Sequence, residues 1–216
     1  MNIKLFTFNP FSENTYLLYD DSGECVIVDP GCSNGQEERA LDSFIAEKKL
    51  QPVLLLNTHC HIDHILGNRF VSDKYGLLLE ANAHEESNLR FADVYCQQFG
   101  IAPPQSPAIE KFLDEGDKIT FGDTELDVLF SPGHSAGHVV FVNPADKCVI
   151  GGDVLFRDSI GRTDLPGGDH ATLLNSIREK LWTLPDDFVV YPGHGPSTTI
   201  GYEKSNNPFL NGRYDD

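Results

Sequence analysis

The sequence predicts a mixed α/β (α+β) fold of four layers, an αβ/βα sandwich with two sheets face to face and helices outside them. Three observations predict it. The β-type and helical runs come in two similar halves: strands, helix, strand, helix, strand, helix, and then strands, helix, strand. The run Val53-Leu54-Leu55-Leu56 is apolar without alternation, as a strand buried on both faces should be. The segments richest in His and Asp follow strands, where open α/β sheets place their sites. At 216 residues and 40% hydrophobic content, one domain spanning 1–216 can bury its own core.

Ile3-Phe8, Thr15-Asp20 and Cys25-Asp29 are short β-type runs separated by turn signals at Asn9-Pro10 and Asp20-Asp21-Ser22-Gly23, which predicts an antiparallel meander. Gln36 to Lys49 places Leu41, Phe44 and Ile45 at helical spacing. After the strand Val53-Asn57, Ile65 to Tyr75 reads as a helix, Leu77-Glu80 as a strand and Glu85 to Phe99 as a second helix. Gly100 to Pro107, with three prolines, reads as a surface connection rather than a lid. Lys118-Phe121, Glu125-Phe130, His138-Asn143 and Cys148-Gly151 form the second set of strands. Asp169 is placed to cap a helix carrying Leu173, Leu174, Ile177 and Leu181, and Phe188-Tyr191 is the last buried strand.

Thirty-three acidic against 16 basic residues give a formal charge of −17. Repulsion of polyanions follows, so nucleic acid and anionic membrane are not the expected partners. No signal peptide and no apolar stretch of about 20 residues is evident, which predicts a cytoplasmic protein. Cys25, Cys32, Cys60, Cys96 and Cys148 are scattered without a Cys-x-x-Cys pair and read as thiols of a reducing compartment. Cys60 reads as a packing residue rather than a ligand.

The chemistry is concentrated in Thr58-His59-Cys60-His61-Ile62-Asp63-His64, where His59, His61, Asp63 and His64 all have metal-binding side chains. Three later segments each set a ligand type beside glycine or proline after a strand: Pro132-Gly133-His134, Gly151-Gly152-Asp153 and Pro192-Gly193-His194. Together they make seven ligands, too many for one tetrahedral ion, whereas two ions sharing one carboxylate would use them all. His84, His138 and His170 read as surface residues or, for His138, as a structural hydrogen-bonding group.

These motifs, in this order from about Asn14 to Asn207, resemble the metallo-β-lactamase-fold hydrolases of the glyoxalase II (hydroxyacylglutathione hydrolase) type, in particular the compact bacterial members without a C-terminal helical extension. The resemblance implies that His59, His61 and His134 hold one divalent metal and Asp63, His64 and His194 the other, with Asp153 bridging and zinc, iron or manganese as the ion. It implies a metal-bridging hydroxide, oriented by Asp63, that attacks a small-molecule thioester or ester such as S-lactoylglutathione. Asp29 matches a position that supports the site without binding metal, and Arg162, in Gly161-Arg162-Thr163-Asp164, one that meets the substrate carboxylate; the bland alternative for Arg162 is an Arg-Asp surface pair. Asp153 stands where secreted β-lactamases of the fold often have cysteine or serine, which argues against antibiotic hydrolysis. The Gly161–Asp164 run also resembles persulfide dioxygenases of this fold, which use one iron held by residues matching His59, His134 and Asp153. An RNA-processing nuclease and a non-catalytic binding module are weaker alternatives.

Overall fold

The computed structural model describes residues 1–210. Their contacts cluster into two units, Met1–Leu113 with Ile119–Glu125, and Asp114–Lys118 with the chain from Leu126 onward; each is described by itself.

The first unit begins with the expected meander: β1 (Asn2–Phe8), β2 (Glu13–Tyr19) and β3 (Glu24–Val28) pair antiparallel in sequence order. Helix α1 (Gly35–Lys48) starts where the Asn34 side chain accepts the Gln36 and Glu37 N–H groups, and it ends at Lys49 in the left-handed conformation. Its buried residues are Leu41 and Ile45, two of the three predicted from spacing. The chain then returns as β4 (Gln51–Leu56), parallel to β3, and β5 (Leu79–Ala81) and β6 (Ile109–Phe112) extend the sheet to the order β1-β2-β3-β4-β5-β6. Strand β4 is interior, as predicted, but only its carboxyl end, Leu55 and Leu56, is fully buried. That end delivers the chain to Asn57 and the His/Asp-rich turn.

Two expectations in this unit need correction. The helix expected over Ile65 to Tyr75 is two, α2 (Ile62–Ile65) and α3 (Asn68–Tyr75). The break has a tertiary cause: the Gly67 N–H bonds the Pro30 carbonyl at 2.7 Å, and a Cβ at Gly67 would run into Cys32. Strand β6 was not expected, because its four residues follow the proline-rich segment and only Ile109 is buried. Helix α4 (Glu86–Phe99) follows a 3-10 turn at Ala83–Glu85 and stops at Gly100, whose φ of +67° suits glycine. The segment after it is anchored rather than loose, with Pro104 buried and Ser106 Oγ accepting a hydrogen bond from Asn68 at 2.9 Å.

The second sheet has the order β14-β13-β10-β9-β8-β7, comprising β7 (Lys118–Phe121), β8 (Thr124–Phe130), β9 (Val139–Asn143), β10 (Cys148–Gly152), β13 (Val189–Pro192) and β14 (Thr198–Thr199). β8, β9 and β10 run antiparallel, and β13 joins β10 in parallel. Helix α5 (His170–Glu179) is capped by Asp169, whose carboxylate accepts the Thr172 N–H as the sequence predicts, and it buries Leu173 and Ile177 in a cluster with Val140, Val149 and Val190. The hairpin of β11 (Leu155–Phe156) and β12 (Ser159–Ile160) and helix α6 (Ile200–Asn206) were not expected; they are too short for a periodic signal. Among the described residues no helix is long and apolar enough to cross a membrane.

Candidate metal centre

Within the first unit, the turn after β4 is braced by one carboxylate. Asp29 sits at the end of β3 with φ +49°, a conformation Asp tolerates better than most residues, and its N–H bonds the Leu56 carbonyl at 2.9 Å. Its Oδ1 accepts the Thr58 N–H at 2.7 Å and Asn57 Nδ2 at 3.2 Å, and its Oδ2 accepts the Thr58 hydroxyl at 2.6 Å and faces His64 Nδ1 at 3.1 Å. Because the Thr58 hydroxyl gives its proton to Asp29, its lone pairs face His59 Nδ1 at 3.1 Å. Asp29 thus makes Nδ1 the protonated nitrogen of both His59 and His64, directly in one and through Thr58 in the other. Nε2 is then the nitrogen that each ring could offer to a metal.

Both rings are fully buried, with centroids 4.1 Å apart, and His61 stands edge-on to His59 at 4.8 Å. Asp63 Oδ2 lies 3.8 Å from His64 Nε2. Asp29, His59 and His64 each bring a ligand atom within 4.8 Å of the others. The Asp29 oxygens are engaged by the four groups just named, however, which fits the expected supporting role and not coordination. Glu13 is also buried here, its Oε1 4.0 Å from His64 Nδ1; burial pushes its carboxyl well above the usual range, against the attraction of His64.

Within the second unit, Asp153 is shared. Its Oδ2 lies 3.5 Å from His134 Nε2 and 3.6 Å from His194 Nε2. Two donors bound to one tetrahedral ion at 2.0–2.2 Å stand about 3.4 Å apart, so these spacings and the Asp63–His64 spacing fit a common ion between donors. The Arg162 carbonyl faces His134 Nδ1 at 2.8 Å, so Nε2 is the nitrogen that this ring too could offer to a metal. Asp153 itself is held by its N–H, which donates to Nε2 of the buried His138 at 3.0 Å. His138 is therefore the structural group the sequence suggests, while His84 and His170 are exposed.

Glycines set the close approaches in this half. A Cβ on Gly161 would collide with the Asp153 carbonyl and reach within 3.0 Å of His134 Nδ1, and Gly133, at φ +128°, is backed by the Leu173 backbone. The Arg162 side chain is bidentate to Asp164, with two contacts of 2.7 Å, and both residues are exposed. It is thus the main chain of Arg162 that touches a predicted ligand. Cys60 packs in the core with its thiol pushed well up by burial and by the Glu85 and Asp29 carboxylates, as expected of a non-ligand. All five cysteines are buried, and none is in a disulfide.

Sequence reasoning missed Asn9, Glu13, Asn57, Thr58 and Glu85.

Comparison with known proteins gives concordant results. The family described as the Metallo-beta-lactamase superfamily matches residues 8–194. The chain is 37% identical to "Hydroxyacylglutathione hydrolase GloC" of Haemophilus influenzae, over 99% of this chain and 100% of that protein. Two solved structures superpose closely: a protein described as the BLEG-1 B3 metallo-beta-lactamase (TM-score 0.88, 36% identity, 97% of this chain and 99% of that one) and TTHA1623 in a di-iron-bound form (TM-score 0.86, 37% identity, 96% and 100%).

Proposed function

This chain belongs to the metallo-beta-lactamase superfamily and has its mixed α/β fold, and as a metal-dependent hydrolase of that family, we propose, it acts on small thioesters of the S-lactoylglutathione class. The observation that carries the reading is the shared Asp153 carboxylate, equidistant within 0.1 Å from His134 and His194. The thioester class rests on the full-length similarity to the Haemophilus influenzae enzyme.

In this reading His59, His61 and His134 would hold one divalent metal and Asp63, His64 and His194 the other, with Asp153 available to both; zinc, iron and manganese all suit this donor set. Such ions lower the pKa of bound water from about 15.7 to about 7 and polarise a carbonyl. The protein's own groups do the rest. Asp29, Thr58 and the Arg162 carbonyl keep the imidazoles in the coordinating tautomer. Asp63, with a side chain 15% exposed, accepts a hydrogen bond from the attacking water and orients it toward the thioester carbon. The Arg162 guanidinium meets a substrate carboxylate by exchanging Asp164 for it. The chain works in the cytoplasm on small molecules and not on nucleic acid or membranes, in keeping with its charge of −17.

Purified protein of known metal content should be assayed on S-lactoylglutathione, on a β-lactam and for oxygen uptake with glutathione persulfide. Thioester hydrolysis at the highest kcat/KM supports the proposal. Preferred β-lactam turnover, or oxygen uptake with a single iron, replaces it.

A further inference from the structure

A four-residue helix cannot satisfy its own backbone, since the first N–H groups and last carbonyls of any helix lack internal partners. Helix α2 carries Asp63 and His64, and its groups are taken up by side chains from distant parts of the first unit. Asn9 Nδ2 donates to the Asp63 carbonyl at 2.9 Å and to the Gly31 carbonyl at 3.0 Å. In a continuing helix the Asp63 carbonyl would receive the Gly67 N–H, but that donor is given to Pro30. Asn57 Nδ2 donates to the His64 carbonyl at 3.0 Å. On the other side of the turn, the Cys60 N–H, between His59 and His61, donates to Oε2 of the fully buried Glu85 at 2.7 Å, and Asn88 holds the same oxygen at 2.7 Å.

Asn9 has the look of a plain turn residue, with φ +52° between β1 and β2. Its amide says otherwise. Oδ1 makes the local bond, accepting the Phe11 N–H at 3.0 Å, while Nδ2 reaches two carbonyls 22 and 54 residues away in sequence. This pattern fixes which end is nitrogen, because an oxygen there would face two carbonyl oxygens.

We propose that Asn9 and Glu85 are positioning residues that hold the His59–His64 turn in its metal-binding shape before metal arrives, so that both set metal affinity without touching the ion. The inference rests on the reading of this turn as a metal-ligand loop. Ordering the turn in advance removes an entropic cost that binding would otherwise carry.

The test uses full-length apoprotein titrated with Co2+ and followed by visible absorption, at a temperature where circular dichroism shows every variant folded. Asn9→Asp keeps size but loses both donors; Glu85→Ala loses the acceptor, and Glu85→Gln restores a neutral one. Asn9→Asp and Glu85→Ala should weaken cobalt binding about tenfold or more, with Glu85→Gln close to wild type, in the range seen when groups supporting metal ligands are removed. Hydrogen exchange of the residue 60–64 amides in the apo state should quicken in the two weakened variants. Should Asn9→Asp fail to fold, the Glu85 pair decides. Folded variants that bind cobalt as wild type does, or an unchanged exchange pattern, overturn the proposal. A wild-type protein that binds no cobalt overturns the metal-ligand reading itself and this inference with it.

Discussion

The ligand turn of the first unit and the ligand loops of the second are held by different means. In the first, side chains brace side chains and backbone: Asp29 and Thr58 fix the His59 and His64 rings, while Asn9, Asn57 and Glu85 bind the main chain of the turn. In the second, the main chain does most of the bracing: the Arg162 carbonyl fixes His134, the Gly193 N–H bonds the Gly152 carbonyl at 2.7 Å, and Gly161 and Gly133 allow the close approaches. Four candidate ligands in six residues leave only positions 60 and 62, which Cys60 and Ile62 fill as buried core residues, so the support comes from outside. A single ligand on each loop leaves its neighbours free to be Gly or Pro. The two halves should therefore fail under different substitutions.

The largest effect is expected in the backbone-braced half. Gly161→Ala sets a methyl against the Asp153 carbonyl, which cannot rotate away, and should cost about 1–3 kcal/mol of stability in urea unfolding together with metal content. An alanine variant as stable as wild type would show that this loop is slack. In the side-chain-braced half, Asp29→Ala should lower metal affinity or activity about 10–100-fold, read by metal titration, because His59 and His64 lose their fixed tautomers together.

Smaller effects are expected at the rim. If Arg162 recognises a carboxylate, Arg162→Ala raises KM about tenfold with kcat unchanged, the signature of binding lost equally in ground and transition states. No change in KM would leave Arg162 as the Asp164 partner only. The smallest effect is electrostatic: hydrogen bonds from Arg162 hold the Asp164 carboxyl down to about 2. A folded value below the unfolded one, about 3.9, means the contribution is full above that pH and is lost as pH falls through about 2. The pair is exposed, so the effect on stability is slight, but carboxyl NMR should place the Asp164 midpoint near 2 and return it to the ordinary range in Arg162→Ala.

What the sequence disclosed follows the same division. The candidate ligands stood out because His and Asp cluster beside Gly and Pro at strand ends, and the Asp169 cap and the central β4 were legible because local chemistry governs them. The break at Leu66–Gly67 was not, because it depends on Pro30 and Cys32, some 35 residues away. The bracing set was hidden for that reason as well: Asn9 reads as a turn and Glu85 as a helix start, and only the fold brings them to Asp63 and Cys60. Strand β6, the β11–β12 hairpin and α6 were lost to their brevity.

The most direct test of the account is metal analysis of the purified protein beside its Asp153→Ala variant. Two divalent ions per chain in the wild type, with at least one lost in the variant, is the predicted result. One ion per chain in the wild type, or a variant that keeps both, would contradict the shared carboxylate on which the proposed hydrolase rests.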